Sequence, residues 1–322
     1  RLKQIETLVA VIAKGSLIAV TGATGFIGTC LCQRLLERGF QVRALVRNPA
    51  KAAHLASRGA TLIEGDLEST AALEQLVANC AAVIHGAGAV RGNSQADFDR
   101  VNVAGTAALL RAISAQPQPP LLLLLSSIVA REPQLSWYAR SKWAAEQLLL
   151  PYAHLDWIIL RPPAVYGPGD KEMLPIFQWM HRGIAFVPGS PEARTSLIHV
   201  ADLVYAIIAC LQSAGARQQT LTLCDGKHNG YSWREMAGIA AQLWSGKVRL
   251  WCIPRWLLNG AAGLNSNIAR ITGRAPMLTP PKLRELRHID WVADNDAITS
   301  ATGWTPAVGL RDGLEQLKIS TL

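Results

Sequence analysis

The sequence has little of what would place it at once in a special class. Of its 322 residues 17% are charged and 6% aromatic, and no tract is low in complexity. Half the residues are hydrophobic, so disorder is not expected outside the termini. The six cysteines (Cys30, Cys32, Cys80, Cys210, Cys224 and Cys252) form no Cys-x-x-Cys and stand at no zinc-ligand spacing from histidine. That argues against a disulfide framework and a metal site, and fits buried free thiols in a reducing, cytoplasmic setting. No apolar run near the middle approaches the roughly 20 residues that cross a bilayer; "LLLLL" at 121–125 reads as a buried strand. Acids are the scarcer charge, 23 against 32 Lys and Arg, for a net +9. The basic residues are scattered without a stripe or a recognisable module, which argues against nucleic-acid binding. The excess suits an anionic small ligand or a solvated basic surface.

The chain begins without Met, and residues 1–15, "RLKQIETLVAVIAKG", are taken as an N-terminal extension with no assigned function. An acid and a lysine flank its apolar patch and no small-residue cleavage site follows, so it is not read as a signal peptide.

From residue 16 short β-type runs alternate with helical ones. "SLIAV" (16–20), "FQVRALV" (40–46), "ATLIEGD" (60–66), "AAVIHGAG" (81–88), the leucine run and "DWIIL" (156–160) read as strands. Helices are expected between them, including one around 95–115 and one at about 136–150. Alternation with near-continuous apolar strands predicts an α/β fold, a doubly wound parallel sheet covered on both faces. After about residue 166 the pattern loosens. "ADLVYAIIACLQSA" (201–214) and "QTLTLCD" (219–225) look like a helix and strand returning to the sheet, and "SWRE" (232–235) like a capping box. The expected division is a nucleotide-binding domain of residues 16–165 plus about 195–225, interleaved with a smaller substrate lobe of 166–194 plus 226–322.

"TGATGFIG" (21–28) lies in the first strand-to-helix turn, with glycines at 22, 25 and 28. A dinucleotide fold needs glycine there for a backbone angle that side chains forbid, for close approach of a pyrophosphate and for tight helix packing. The helix N-terminus then offers free N–H groups to phosphate oxygens. Gly22, Thr24, Gly25, Phe26, Ile27 and Gly28 are therefore candidate cofactor contacts. At the end of the second strand, "ALVRNPAK" carries no acid for ribose hydroxyls and places Arg47 where a 2′-phosphate would lie, with Arg43 and Lys51 as helpers. NADP(H) is preferred on this ground, with NAD(H) as the alternative.

"WYARSK" (137–142) sets Tyr138 and Lys142 one helical turn apart on one face. Together with "GDL" (65–67), "HGAG" (85–88), "VNVAGT" (101–106), "SS" (126–127), "RPPAVYGPGD" (161–170) and "IHVADLVYAI" (198–207), these motifs occur in the order found in the extended short-chain dehydrogenase/reductase superfamily, which the chain resembles over residues 16–317. The resemblance implies a Rossmann domain, with Asp66 and Leu67 near adenine, Gly86, Ala87 and Gly88 lining the cofactor, and Pro162 beside it. It implies Tyr138 as acid/base, Lys142 on the nicotinamide ribose, Ser127 rather than Ser126 on the reacting oxygen, and Asn102 as organiser of the helix near the site. An adjacent ammonium is expected to lower the phenol's pKa. His85 and His199 are taken as structural, Asp202 as a first-turn helix residue, and Arg194 as a substrate anion contact or a surface group.

Ala164 stands where nucleotide-sugar members commonly carry Asn. With Arg47 and with Trp179, Trp251 and Trp256 in the second lobe, it favours NADP-linked redox on an apolar small molecule, resembling 3β-hydroxysteroid dehydrogenases and dihydroflavonol reductases. The alternatives are a nucleotide-sugar epimerase or dehydratase, and a redox-silent sensor or assembly protein. A homodimer through two helices follows by analogy only. "LWCIPRWLLNGAAGLN" (250–265) mixes tryptophan, leucine and basic residues, which leaves a peripheral membrane contact open.

Overall fold

The computed structural model describes residues 11–152, 154–244, 246–260, 262–263, 279–317 and 319. Residues 1–10 of the expected extension lie outside this set, as do residues 264–278 of the expected lobe and residues 261, 264 and 265 of the tryptophan-bearing segment. Ile12, inside the expected extension, is buried in the core and donates its N–H to the carbonyl of Leu211.

Six strands follow in chain order: β1 (Leu17–Thr21), β2 (Gln41–Val46), β3 (Thr61–Glu64), β4 (Ala82–His85), β5 (Leu121–Leu125) and β6 (Trp157–Arg161). Beyond them come β7 (Ala164–Tyr166), β8 (Ile184–Val187), β9 (Arg194–Thr195), β10 (Leu197–His199), β11 (Gln219–Thr222), β12 (Tyr231–Ser232), β13 (Arg249–Cys252) and β14 (Asp290–Trp291). The main sheet is seven-stranded and parallel throughout, in the order β11-β6-β5-β4-β1-β2-β3. Strand order reverses between β1 and β4, and a doubly wound sheet opens its binding crevice at the carboxyl ends of such a pair.

Burial on two faces explains the unbroken apolar strands. All five β5 leucines are buried, and alternation sends them to different cores. Leu121, Leu123 and Leu125 join Leu31 and Leu35 of α1 (Phe26–Glu37) and the helix Val200–Leu211. Leu122 and Leu124 meet Leu73 and Leu76 of the helix Thr70–Val77 and Leu109 of the helix Gly105–Ser114. Each fully buried leucine contributes roughly 1.5–3 kcal/mol.

The helix expected over 95–115 is interrupted. A short turn at Gln95–Phe98, opened by a Ser94–Asp97 capping box, passes into a π-helical stretch at Asp99–Ala104 before Gly105–Ser114 resumes α geometry. One wider turn rotates the side chains that follow it, and Asn102 sits within that turn.

Outside the sheet, β8 pairs with β13, β7 with β10, and β9 with β12 and β14. Tyr166, Phe177, Met180, Tyr231 and Met236 form a separate core there. The capping box at 232–235 is present, with the Ser232 hydroxyl accepting from Glu235 N–H and Ser232 N–H donating to the Glu235 carboxylate. The expectation of buried thiols holds for Cys32, Cys80, Cys210 and Cys224, whereas Cys30 is half-buried and Cys252 exposed. Burial pushes Cys32 and Cys210 up to about 12 and Cys80 to about 11.

A Cβ on Gly28 would lie 2.0 Å from the Gly22 carbonyl oxygen, while one on Gly238, exposed in the helix Trp233–Leu243, would meet nothing within 4 Å. Gly28→Ala is expected to lower the unfolding free energy by about 1–3 kcal/mol, and Gly238→Ala to raise it by about 0.5–1 kcal/mol. Urea denaturation of the pair checks this, and equal effects would refute the packing argument.

Candidate active site

The glycine turn closes against the loop after β4. Gly22 has φ +74°, and a Cβ there would come within 2.6 Å of the Ala87 nitrogen and the Gly86 carbonyl carbon. Only glycine allows the ends of β1 and β4 to approach so closely. Gly25 is the N-cap of α1, no side chain caps that helix, and its first turn holds no acid. The N–H groups of Phe26, Ile27 and Gly28 thus begin a helix with no side-chain acceptor, which suits a diphosphate. Thr24 and Gly25 are exposed beside them. The residues present fit a dinucleotide.

Arg47 and Lys51 are exposed, and among the described residues neither makes an ion pair. Arg43 does not join them: its Nη1 donates to the carbonyls of Gln75, Leu76 and Ala78 at 3.0, 3.1 and 2.7 Å, closing the end of the helix Thr70–Val77. Asp66 is exposed and accepts from Glu68 N–H, and Leu67 covers Gly105, where a Cβ would meet it at 2.5 Å.

Deeper in, Asn102 is 2% exposed and fully engaged. Its Oδ1 accepts from Ala89 N–H at 2.7 Å, and its Nδ2 donates to the Ala89 carbonyl at 3.0 Å and to the Ser141 hydroxyl at 2.9 Å. It thereby joins the loop after β4 to α2, here the helix Trp137–Gln147, which Ser136 caps. Lys142 on that helix donates Nζ to the Leu125 carbonyl at 2.9 Å, and both it and Asn102 border Gly88. Burial pushes Lys142 down to about 8 while Glu146 opposes the shift.

Tyr138 is half-buried against Ile128, Val129, Trp291 and Ala293. Its phenol is raised above the ordinary value, first by burial and then by the Glu285 carboxylate, with the Ser127 hydroxyl pulling it back. The lysine-driven lowering expected from sequence is not what the free chain shows. The ammonium is anchored to Leu125 and lies 6.0 Å from the ring centroid.

The two serines separate cleanly. Ser126 donates to Glu146 at 2.5 Å, and Arg161 holds the same carboxylate at 2.5 and 2.9 Å. Ser127 instead lies beside the phenol, with its oxygen accepting from Val129 N–H. The Pro162 carbonyl accepts from Ile128 N–H and steadies that loop.

His85 is 1% exposed and bonded at both ring nitrogens. Thr106 Oγ1 donates to the Asn102 carbonyl at 2.7 Å, so it accepts from His85 Nε2 at 3.0 Å. His85 Nδ1 then accepts from Thr21 Oγ1 at 2.7 Å, and Thr21 in turn accepts from Ala87 N–H. Burial, with Lys142 adding to it, pushes the imidazole down to about 3 and keeps it neutral.

His199 caps the helix Val200–Leu211 through Nδ1, and first-turn Asp202 accepts from Ala307 and Val308 N–H. Arg194 is spent within the lobe on Asn229, Gly230 and Glu235, which removes it as a free anion contact. Trp179, Trp251 and Trp256 are exposed and do not line the cavity beside Tyr138.

Sequence reasoning missed Lys282 and Glu285. Lys282 Nζ lies 5.4 Å from the Tyr138 ring centroid and pairs with Glu285, which accepts from Ser136 at 2.5 Å. "TPPKLREL" signals a capped helix with an i,i+3 ion pair, but nothing in it points to residues 136–138, about 150 positions away.

Residues 18–224 match the NAD dependent epimerase/dehydratase family. A ceramide reductase of Caulobacter vibrioides is 33% identical over 296 residues, covering 92% of this chain and 91% of that protein. A 2-alkyl-3-oxoalkanoate reductase of Shewanella oneidensis is 26% identical, covering 99% and 89%. The solved UDP-glucuronic acid 4-epimerase of Bacillus cereus, in complex with UDP-glucuronic acid and NAD, superimposes with a TM-score of 0.71 at 21% identity over 93% of this chain and 97% of that one, a likeness of fold.

Because His85 is held near 3 when folded against an ordinary 6.5, the unfolded chain takes up a proton across that window that the folded chain refuses. Stability therefore falls as pH drops from about 6.5 toward 3. Urea midpoints measured across this range should fall less steeply for His85→Gln, and an unchanged slope would acquit the imidazole.

Proposed function

The chain belongs to the NAD-dependent epimerase/dehydratase family within the extended short-chain dehydrogenase/reductase superfamily, and as an NAD(P)-dependent oxidoreductase of that type, we propose, it reduces a carbonyl on an apolar small molecule with NADP(H). The observation that carries this reading is the Tyr138 phenol beside Ser127, at a cavity lined by Val90, Phe98, Trp137 and Pro281 and also by Arg91, Ser136, Thr279 and Lys282. Two relatives named for reducing a ceramide and a 2-alkyl-3-oxoalkanoate, both substrates with alkyl chains, support the apolar choice.

The amides opening α1 and the bare Gly22 cradle would hold the diphosphate, Asp66 and Leu67 the adenine side, and Arg47 a 2′-phosphate. Lys142 has two ammonium protons beyond the one given to Leu125, and these are assigned to ribose hydroxyls. When bound, the nicotinamide supplies a hydride to the substrate carbon. Tyr138 Oη holds its proton throughout the neutral range, the state a general acid needs, and passes it to the carbonyl oxygen while Ser127 Oγ donates a hydrogen bond to that oxygen. The reverse oxidation requires the phenolate, which burial disfavours. Residues 166–194 and 226–322 are assigned to the substrate side. Outward-facing Trp143, with Ala107 and Ala144 beside it, is assigned to pairing of two copies.

Tyr138→Phe is expected to lower kcat for carbonyl reduction by about 10²–10⁴ while NADPH titration by fluorescence is unchanged. Binding by the wild type without turnover on any carbonyl or alcohol would leave the redox-silent reading, and conversion of a UDP-sugar without net cofactor change the epimerase reading. Arg47→Ala should weaken NADPH about tenfold or more and leave NADH unaffected; equal loss for both would remove the 2′-phosphate contact.

In the free enzyme the Lys142 ammonium is lost as pH rises through about 8. Accordingly kcat/KM should decline above that pH, well before any titration of the raised phenol. A profile flat to pH 10 would take Lys142 out of this role.

A further inference from the structure

One surface of the second lobe violates the alternation that the rest of the chain obeys. In the β8–β13 ribbon, Ala185 and Leu250 point into the core and Val187 is fully buried, so the opposite face should be polar. It is aromatic instead. Phe186 and Trp251 are cross-strand partners with ring centroids 5.5 Å apart, and Trp179 stands edge-on to Phe186 at 5.1 Å. Trp179 is 41% exposed and Trp251 57%; a few residues on, Trp256 reaches 74% and Leu257 46%. Trp179 and Trp251, left open on either side of Phe186, mark an interaction surface rather than scattered exposure.

The segments that carry this face hold cations and no acid. The sequence holds no acid from 173 to 191, and none from 236 to 284, a stretch with seven Lys and Arg. Arg182 lies 5.2 Å from the Trp179 ring centroid, and Lys247, Arg249 and Arg255 are exposed. Rings that have an apolar body and a polar edge, carried on segments whose charges are cations, match the boundary between lipid headgroups and acyl chains.

The face is also joined to the cleft. Leu258 packs on Leu283 of the helix Pro280–Leu286, whose Pro281 and Lys282 line the cavity beside Tyr138. At the end of that helix Arg287 donates to the carbonyls of Pro188, at 3.1 Å, and Arg255, at 3.4 Å, and to Asn259 Oδ1 at 3.3 Å. The ends of the aromatic segments and the wall of the cavity are thus one packed unit.

We propose that this face, Trp179, Phe186, Trp251, Trp256 and Leu257 with Arg182 and Arg249, seats the protein on a membrane surface rich in anionic lipid. The tryptophans enter the headgroup boundary and the arginines meet lipid phosphates. The proposal stands apart from the catalytic reading, because seating needs no turnover.

The test is co-sedimentation of the full chain with vesicles of phosphatidylcholine alone and mixed with phosphatidylglycerol. The wild type should bind the mixed vesicles with a blue shift of tryptophan fluorescence, and binding should weaken between about 0.05 and 0.5 M salt. Trp251→Ser/Trp256→Ser should reduce partitioning at least about tenfold, and Arg182→Ser/Arg249→Ser should remove the preference for phosphatidylglycerol. Far-UV circular dichroism and the urea midpoint of each variant show that it is folded. Absence of wild-type binding at low salt, or variants that bind like the wild type, would overturn the proposal. So would a dimer in sedimentation velocity that Trp251→Ser/Trp256→Ser abolishes, since the occupant would then be a second copy.

Discussion

The site depends on how the ends of β1 and β4 are held together. Gly22 lets the two backbones meet, and a neutral imidazole locks the contact from below, with Thr21 on one nitrogen of His85 and Thr106 on the other. A protonated ring would have two donors and no acceptor for Thr21, so the arrangement requires the neutral form that burial enforces. From Thr106 the chain of bonds reaches Asn102, and from Asn102 it reaches Ala89 and Ser141. The loop that faces the glycine turn and the helix that carries Tyr138 and Lys142 are therefore positioned by one network, so displacement at either end is felt at the other.

The electrostatics of the site follow from where its carboxylates are spent. Glu146 is four residues from Lys142, yet its oxygens are taken up by Arg161 and Ser126. Lys142 is left buried with a carbonyl as its bonded partner, which weakens its hold on the proton. Burial thus moves the two groups in opposite directions, raising the phenol and lowering the ammonium.

The second lobe solves a different problem. Its core is small, and the ribbon that covers the core carries tryptophan on its outer side. Arg287 and Leu283 connect that ribbon to the wall of the cavity, where Lys282 lies beside the Tyr138 ring and pairs with Glu285.

Much of this was legible in the residues themselves. Leucine runs bounded by helical periodicity determine a sheet buried on both faces, because only parallel crossovers hide both sides of a strand. The glycines at 22 and 28 are needed wherever a helix starts this close to a strand end, and Tyr138 and Lys142 share a face through helix geometry alone. Local spacing carries such information because it concerns neighbours within one or two turns. Only the tertiary structure decided which partner each polar group would meet. It gave Arg43 to the end of a helix and Arg194 to the lobe, turned Ser126 away from the phenol, and brought Glu285 to Ser136 from the far end of the chain. Burial set the direction in which Tyr138 and Lys142 shift, and burial is a property of the packed chain that no stretch of sequence holds by itself.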